Sequence, residues 1–382
     1  MSDSRDADRI SVDRVANTAD RRAFVDFPRR LYRDSRCWVP FFNAEYRDFF
    51  ARRHPFFAHT HTEFLTVRRG GQVLARTMMI DNARYNEEHG TRCANFYFTD
   101  FVDDDEVTDE LFDAMARWAH ARGLGELRGP LFSGATYGGG VLIEGFELPA
   151  AMTMMPYNAP YYARHYERAG FTKRFDLNSL GARSDRFVLP EKVERLAEQV
   201  RRRGRFQVLR FRTKRDLRQV AHRVAGMYNT TLADHGENYP LTDAELERLI
   251  KDLLVIARPD LEKVITYDED VVGFVLTFPD ATRAIQRSRG RLGPAQFIAL
   301  LREIRTTDRL ILNGMGILPQ YQRLGGNALV YSELARTVRS PRYRFSSVEL
   351  VQINEETDLM LSDMYRLGAQ RIKLHRVFER SV

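Results

Sequence analysis

Residues 309–329 read RLILNGMGILPQYQRLGGNAL, and the fold of the second half of the chain follows from this stretch. Residues 309–317 predict a β-strand, and residues 320–338 carry apolar or small side chains at helical spacing. Between them, Gly325 and Gly326 predict a tight turn. A turn that opens directly into a helix presents unpaired backbone N–H groups at the positive end of the helix dipole, which suits a phosphate. A turn whose glycines serve only packing would have the same sequence.

Predicted elements on both sides of this stretch complete an α/β pattern. In the second half the order is strand, two helices, strand hairpin, strand, helix, strand, short helix and last strand. The first half, from about residue 24 to residue 180, shows strand hairpin, strand, helix, strand, helix and strand. The two halves share an order of elements, which is a repeat of structure and not of residues. We predict an α/β (α+β) protein with two similar domains.

The overall composition is that of an ordinary globular protein. A chain of 382 residues, 43% of them hydrophobic and 29% charged, can form two domains with cores, so overall disorder is excluded. The net charge of +7 does not by itself indicate nucleic acid. Two cysteines exclude a disulfide framework and a four-cysteine zinc site. The chain lacks an apolar window of about eighteen residues and a leader-like N-terminus, so we expect a cytoplasmic protein without a membrane partner.

Three polar clusters are candidate sites. The histidines within 54–61, with Glu63, come nearest to a metal-binding spacing, but an aromatic-rich polar loop explains them better, and we expect no metal. The basic residues of 201–218 form either a solvated helix end or a site for an anionic partner. The acidic run 103–106 stands at the strand-to-helix junction of the first half, where carboxylates cap a helix but repel a phosphate.

The glycine turn carries a motif of a known family. Residues 322–327, QRLGGN, resemble the Q/R-x-x-G-x-G/A loop of the GCN5-related N-acetyltransferase (GNAT) superfamily, with Asn327 where that family has Gly or Ala. Residues 364–368, MYRLG, resemble the family's LYxxxGF helix. The resemblance covers most of residues 24–380 and is more specific in the second half. It extends to two-domain acetyltransferase-like proteins.

The resemblance implies two tandem GNAT-like domains, each with a mixed, mostly antiparallel sheet flanked by helices. The first of these is expected to be degenerate and not to bind CoA, because the acidic run replaces its phosphate loop. The expected limits are a flexible N-terminus at 1–20, the degenerate domain at 21–185, a basic helical linker at 186–205, and a GNAT domain with an acetyl-CoA loop at 206–382.

The resemblance also implies an acyl-CoA-dependent acyltransferase, most simply an N-acetyltransferase that moves an acetyl group from acetyl-CoA to an amine by direct attack. The strand at 312–318 would diverge from the strand at 347–353, and the pantetheine arm of the CoA would lie in the gap. The residues implied in acetyl-CoA binding are Met315, Gly316, Ile317, Leu318, Gln322, Arg323, Leu324, Gly325, Gly326, Asn327, Ala328 and Asn354.

Two proton-transfer residues are expected. Tyr365 matches the family's tyrosine that protonates the leaving thiolate, although an ordinary packed helix aromatic would occupy the same position. Glu349 is the first candidate for the base that takes a proton from the amine. Burial would raise its pKa toward a useful range, whereas exposure would make it a solvated strand-end carboxylate. Asp280 is the second candidate.

Two other functions stay open. A non-catalytic CoA-binding or scaffold protein on a GNAT fold would keep the loop without chemistry. A Fem-type aminoacyl-tRNA-dependent transferase also pairs two acetyltransferase-like halves, and its tRNA would contact the basic region 201–218. Against it, neither half carries a long inserted helical arm. The expected partner is a small-molecule or peptide amine, and nucleic acid is expected only as tRNA under this last alternative.

Overall fold

The computed structural model describes residues 9–132, 137–232 and 237–382. The chain forms two compact units, and each contains a β-sheet flanked by helices. The predicted α/β class with two similar domains is confirmed. The first unit comprises Met1–Leu177, Ile285–Gly293 and Lys373–Val382, and the second comprises Asn178–Ala284 and Pro294–Ile372.

Strands and helices alternate along most of the chain. The strands are β1 (Ile10–Arg14), β2 (Thr60–Arg69), β3 (Gln72–Asn82), β4 (Cys93–Phe101), β5 (Glu126–Gly129), β6 (Val141–Glu144), β7 (Thr172–Arg183), β8 (Phe206–Leu209), β9 (Lys263–Tyr267), β10 (Asp270–Pro279), β11 (Arg309–Ile317), β12 (Ser347–Asn354) and β13 (Gln370–Ser381). The α-helices are α1 (Thr18–Leu31), α2 (Asn43–Phe50), α3 (Ala83–His89), α4 (Asp105–Ala121), α5 (Tyr162–Arg168), α6 (Glu191–Arg203), α7 (Lys214–Leu232), α8 (Asp243–Ile256), α9 (Thr282–Ser288), α10 (Pro294–Thr306), α11 (Asn327–Val338) and α12 (Asp358–Arg366).

The sheet of the first unit has the strand order β1-β2-β3-β4-β5-β13, and β6 also pairs with β13. Strands β1 to β4 are antiparallel neighbours, whereas β4 and β5 are parallel. The last strand of the chain, β13, adds to β5 in antiparallel fashion, with Phe378 opposite Gly129. Val377 and Phe378 are buried there. The sequence pattern did not indicate this pairing, because a strand's distant neighbour leaves no local signal.

The sheet of the second unit has the strand order β7-β12-β11-β10-β9-β8. Strands β8 to β11 are antiparallel neighbours, and β11 and β12 are parallel. Helix α11 packs on this sheet, and its Leu329 and Leu334 share a core with Leu312 of β11 and Leu350 of β12. The strand, turn and helix expected over 309–338 are therefore confirmed.

Two regions differ from the expectation. Residues 10–14, expected to be flexible, form β1 and pair with β2. Helix α1 follows behind a capping box made by Asn17 and Asp20. A strand of five residues is too short to give a clear period, which explains why it was missed. Helices α9 and α10 occupy the connection between β10 and β11, to which no element had been assigned.

One local prediction is confirmed in detail. The side chain of Thr242 accepts the N–H of Glu245, and the Glu245 carboxylate accepts the N–H of Thr242, so α8 begins with the expected capping box. Across the described ranges, no helix has both the length and the apolar composition needed to cross a bilayer.

Candidate active site

The second unit contains an opening between its two parallel strands. Strands β11 and β12 pair only from Arg309 opposite Ser347 to Leu312 opposite Leu350. Both strands continue beyond that point, β11 for five residues and β12 for four. Over these residues β11 still pairs with β10 on its other side. Among the residues that the structure describes, the backbone of β11 that faces away from β10 therefore has no strand partner over this stretch, as expected for a diverging pair.

Backbone irregularities in both strands produce this opening. In β11, Leu312 and Gly314 pair with consecutive residues of β10, so Asn313 is an extra residue that forms a β-bulge. In β12, Gln352 has a left-handed φ of 50°, and its N–H donates to the hydroxyl of Ser179 on β7 at 3.2 Å. A bulge bends its strand and increases its twist. The two strands consequently separate directly after their last pair.

The glycine turn follows the open end of β11. A helical turn at Pro319–Tyr321 leads into a wider turn at Gln322–Gly326, and α11 begins at the next residue. Gly325 has a φ of 91°, a conformation that side chains other than glycine rarely adopt. The Gln322 amide donates to the carbonyl of Ile317 at 3.1 Å and so ties the turn to the end of β11.

Both glycines of the turn are required by packing. A Cβ atom on Gly325 would stand 2.7 Å from Cγ2 of Val200 on α6. A Cβ atom on Gly326 would stand 2.9 Å from the carbonyl oxygen of Tyr321 and would also overlap the side chain of Ile317. The packing interpretation of these glycines is therefore supported. Their contact with a phosphate stays a prediction.

Helix α6, within the expected basic linker, is packed against α11. Arg201 donates to the hydroxyl of Ser332 at 2.7 Å and to the carboxylate of Glu333 at 3.0 Å. Arg210 contacts the other carboxylate oxygen of Glu333 at 3.2 Å. Glu333 is only 1% exposed, so it needs such cations to be stable as an anion. Part of the basic region is thus neither a solvated helix end nor a free anion site, because it neutralises a buried carboxylate.

Tyr365 lies on α12 and is 46% exposed. Leu361, one turn earlier on the same helix, is buried, so the two side chains differ in environment although they are four residues apart. Within the described part of the chain, the Tyr365 hydroxyl has no hydrogen-bond partner. The side chain lines a shallow surface depression together with Asp358, Leu361, Ser362 and Arg366.

The two candidate bases, Glu349 and Asp280, both contact Arg309. Arg309 contacts the Asp280 carboxylate at 3.2 Å and the Glu349 carboxylate at 3.5 Å, and both carboxylates are buried. Arg309 is the first residue of β11, whereas the turn follows its last residue, Ile317. At about 3.3 Å per residue these two ends lie roughly 26 Å apart. The structure therefore brings Glu349 and Asp280 together on Arg309, with Glu349 opposite Ile311, one residue before the last pair of β11 and β12.

The other expected acetyl-CoA residues fall into three groups. Residues 315–317 lie on the part of β11 that pairs with β10 but is beyond the last pair with β12, and the N–H of Leu318 donates to the carbonyl of Val272. In the turn and the start of α11, Leu324 is 48% exposed and Ala328 is buried, and the side chain of Arg323 lies outside the described residues. The Asn354 side chain accepts the N–H of Glu356 at 2.9 Å and shapes the turn after β12.

Glu262 is a residue that the sequence reasoning missed. It precedes β9 and is 1% exposed, and one of its carboxylate oxygens accepts the N–H of Thr277 at 3.0 Å. Thr277 stands at the register break opposite the Asn313 bulge. Burial raises the pKa of Glu262 to about 8. A glutamate before an apolar strand gives no signal of such an environment, because the burial comes from distant parts of the chain.

At the corresponding strand-to-helix junction of the first unit, between β4 and α4, acidic side chains occupy the helix N-terminus. The Asp104 carboxylate accepts the N–H groups of Glu106 and Val107 at the start of α4. Arg69 donates to both Asp104 and Glu106, and its hydrogen bond lowers the pKa of Asp104. The helix N-terminus thus already holds a carboxylate of the chain where a phosphate would bind.

The histidine cluster is divided among separate contacts. His54 accepts the N–H of Phe56, a ring nitrogen of His59 lies 3.1 Å from the side-chain oxygen of Asn82, and the His61 ring stacks on Trp118. Within the described ranges, no group of three or more histidine, cysteine or acidic side chains is arranged to hold a metal ion.

Comparison with curated proteins finds relatives of the same length. No protein-family profile matches the chain. Protein YghO of Escherichia coli (strain K12) is 25% identical over 372 residues, which cover 96% of this chain and 94% of that protein. The bacterial ceramide synthase of Caulobacter vibrioides (strain NA1000 / CB15N) is 25% identical over 386 residues, which cover 100% of this chain and 99% of that protein.

Comparison with solved structures finds the same architecture at low identity. The tandem GNAT protein from the clavulanic acid biosynthesis pathway superposes with a TM-score of 0.55 and 10% identity, over 98% of each chain. A GCN5-related glucosamine N-acetyltransferase region of a fungal multi-domain enzyme superposes with a TM-score of 0.54 and 10% identity, over 98% of this chain and 38% of that one. Likeness at this identity concerns the fold.

Proposed function

Because the chain has the tandem fold of the GCN5-related N-acetyltransferases, we propose that it is an acyl-CoA-dependent N-acyltransferase. In its simplest form it moves an acetyl group from acetyl-CoA to an amine. The observation that carries the proposal is the divergence of β11 from β12 directly before a glycine turn that opens into α11. An unpaired strand edge followed by a helix N-terminus suits a ligand with an amide-bearing arm and a pyrophosphate.

In this proposal the second unit holds the acyl donor. The edge of β11 that faces the gap, near residues 315–318, pairs with the pantetheine arm where its backbone groups are not already bonded to Val272 and Gln322. The turn at 322–328 binds the pyrophosphate through backbone N–H groups. Asn327 has ordinary helical backbone angles, with φ −58° and ψ −42°, so a residue larger than the family's Gly or Ala meets no backbone strain there. Asn354 lies at the far side of the gap, at the end of β12.

The transfer is a direct attack with two proton movements. The amine nitrogen forms a bond to the thioester carbonyl carbon, the carbon–sulfur bond breaks, and the thiolate takes a proton from the Tyr365 hydroxyl. The proton lost by the amine goes to water. Glu349 and Asp280 are given no step, because the carboxylates of both are paired with Arg309.

A longer acyl chain and a lipid-like amine form a second candidate pair of substrates. It is favoured by the relative named bacterial ceramide synthase, which aligns with this chain from end to end. The two candidates share the same donor site and differ in what extends from it.

Release of free CoA thiol separates these functions. The purified chain is incubated with acetyl-CoA or palmitoyl-CoA and a panel of amines that includes amino acids, polyamines, peptides and a long-chain amino alcohol, and products are identified by mass. We expect thiol release that depends on one amine class, with a product heavier by one acyl group. Binding of CoA without turnover of any amine would favour the scaffold alternative. A parallel reaction with aminoacyl-tRNA in place of acyl-CoA tests the Fem-type alternative, which is favoured if an amine gains an aminoacyl group there and no thiol is released from acyl-CoA.

A further inference from the structure

Helix α10 presents apolar side chains to the solvent. Its Leu300 and Ile304 are buried and fix the helix to the second unit. On its outer side Ile298 is 67% exposed, whereas Phe297, three residues before Leu300, lies at the margin of the buried face and is 40% exposed. Pro294, Ala295 and Ala299 are exposed around them. An amphipathic helix whose buried face is satisfied has no structural need for an isoleucine on its other face.

Positive charge lies in the second half of the same helix. Residues 294–306 contain two arginines, Arg302 and Arg305, and one acidic residue, Glu303. On α10 itself, Arg302 and Arg305 are exposed. They follow Ile298 by four and seven residues and so lie on its side of the helix. The outer face of α10 is therefore apolar in its first two turns and cationic in the next.

We propose that α10 docks this protein on an anionic lipid surface, with Phe297 and Ile298 entering the boundary between headgroups and acyl chains. Exposed apolar tips beside arginines are the pattern of helices that lie in a membrane interface. The arginines are attracted to the negatively charged lipid headgroups, and the apolar side chains of Phe297 and Ile298 set how deeply the helix enters the membrane interface. Nucleic acid would use the arginines but not the apolar side chains. The expectation of no membrane partner was based on the lack of a spanning segment, which a peripheral contact does not need.

Helix α10 ends just before the first residue of β11, whereas the glycine turn follows the last residue of that strand. Ile298 lies in the first turns of the helix, and Arg302 and Arg305 lie nearer to β11. This inference goes beyond the proposed function and does not depend on it.

Sedimentation with lipid vesicles tests the inference. The full chain is mixed with vesicles of phosphatidylcholine containing about one-third phosphatidylglycerol, or of phosphatidylcholine alone. We expect it to sediment with the anionic vesicles and not with the neutral ones. The double variant Phe297→Ser/Ile298→Ser should bind at least about tenfold more weakly, because two apolar side chains no longer leave water. The double variant Arg302→Glu/Arg305→Glu should lose the preference for phosphatidylglycerol.

Leu359→Ser is the matched control. Leu359 is 82% exposed near the start of α12, on a different helix, so its loss should leave vesicle binding unchanged. All variants change exposed side chains, and equal melting temperatures verify that they are folded. The inference is overturned if the wild type stays in the supernatant, if the α10 variants bind as the wild type does, or if an acidic protein or nucleic acid is bound instead of the vesicles.

Discussion

Tyr365 is the single side chain on which the chemistry of the proposal depends. Its hydroxyl is partly exposed at a surface depression, which suits a group that must meet a leaving thiolate. We predict that Tyr365→Phe lowers kcat about a hundredfold, because general-acid assistance is lost while the donor site is unchanged. Steady-state kinetics with the amine that the panel identifies should show a fall in kcat and little change in KM for the acyl donor.

Tyr331→Phe provides the comparison for Tyr365→Phe. The Tyr331 hydroxyl lies 2.8 Å from the carboxylate of Asp363, and this contact ties α11 to α12. Removing it should cost about 1 kcal/mol of stability and leave kcat unchanged. Equal kcat losses in the two variants would contradict an acid role for Tyr365.

Glu262 makes stability depend on pH. Burial raises its pKa from 4.5 to about 8 in the folded chain, so between these values the folded state holds a proton that the unfolded state has released. Stability should therefore fall as pH rises from about 4.5 to about 8 and level off above. Glu262→Gln mimics the protonated acid and should remove this slope, stabilising the protein at pH 8 by on the order of 4 kcal/mol.

Thermal melts at a series of pH values from about 5 to about 9, a range that spans most of the titration of Glu262, measure this effect. The exposed carboxylate of Glu269 is the control, and Glu269→Gln should leave the pH slope as it is in the wild type. A Glu262→Gln variant that melts lower than the wild type at pH 8 would show that the carboxylate, and not the neutral acid, is the stable buried form.

Residues differ in how far the sequence could predict them. Gln322, Gly325 and Tyr365 could be singled out because motifs are local in sequence. The environments of Glu262 and Glu333 could not, because Thr277, Arg201 and Arg210 reach them only through the fold. Glu349 was expected at the gap on the basis of its strand alone, and nothing in that strand reveals the arginine that holds it.

Among the elements, the glycine turn has a packing role that can be separated from ligand binding. Gly326 has an ordinary helical φ of −58°, so an alanine there meets no backbone strain, only the Tyr321 carbonyl and the Ile317 side chain. We predict that Gly326→Ala costs about 1–3 kcal/mol, the usual range for an overpacked site. Urea unfolding measures the loss.

Gly226 offers the opposite case for the same substitution. It lies inside α7, and a Cβ atom there would meet nothing within 4 Å. Gly226→Ala should stabilise the protein by about 0.5–1 kcal/mol through helix propensity. If both alanine variants had the same effect on the urea midpoint, the packing argument for the turn would be wrong.

Elements were predictable where the hydrophobic period was long. The strand at 309–317, the helices at 214–232 and 242–254 and the closing strands follow from period and caps. The Asn313 bulge and the left-handed Gln352 did not follow, although they open the site. A bulge depends on how two strands pair, and the sequence of one strand does not contain its register.

For the whole molecule, the last strand of the chain is part of the first unit. Residues Lys373–Val382 belong there, and β13 covers β5 and buries Val377 and Phe378. We predict that a chain truncated after Ile372 loses the stability of its first unit, because β5 is left as an open edge and a buried phenylalanine is lost. Calorimetry should show a lower melting temperature, and a peptide of residues 373–382 added in excess should raise it again.

A truncated chain that melts like the full-length protein would contradict this assignment. The duplication of the fold was visible in the order of elements. The assignment of residues 373–382 to the first unit was not, since the limits expected from the sequence kept 206–382 together. Two halves with similar strands can pair in more than one way. The choice is made by contacts between residues hundreds of positions apart, such as Phe378 and Gly129.

Isothermal titration of acetyl-CoA tests most directly whether the glycine turn is an acyl-CoA site. The account predicts one site per chain with a Kd below about 0.1 mM. Asn327→Asp keeps the size of the side chain and favours the start of α11, but places a negative charge at the proposed pyrophosphate contact, so it should weaken binding at least about tenfold. Gln207→Glu on β8 makes the same charge change at an exposed position and should bind as the wild type does. No heat of binding at millimolar acetyl-CoA, or equal affinity in the wild type and Asn327→Asp, would contradict the account.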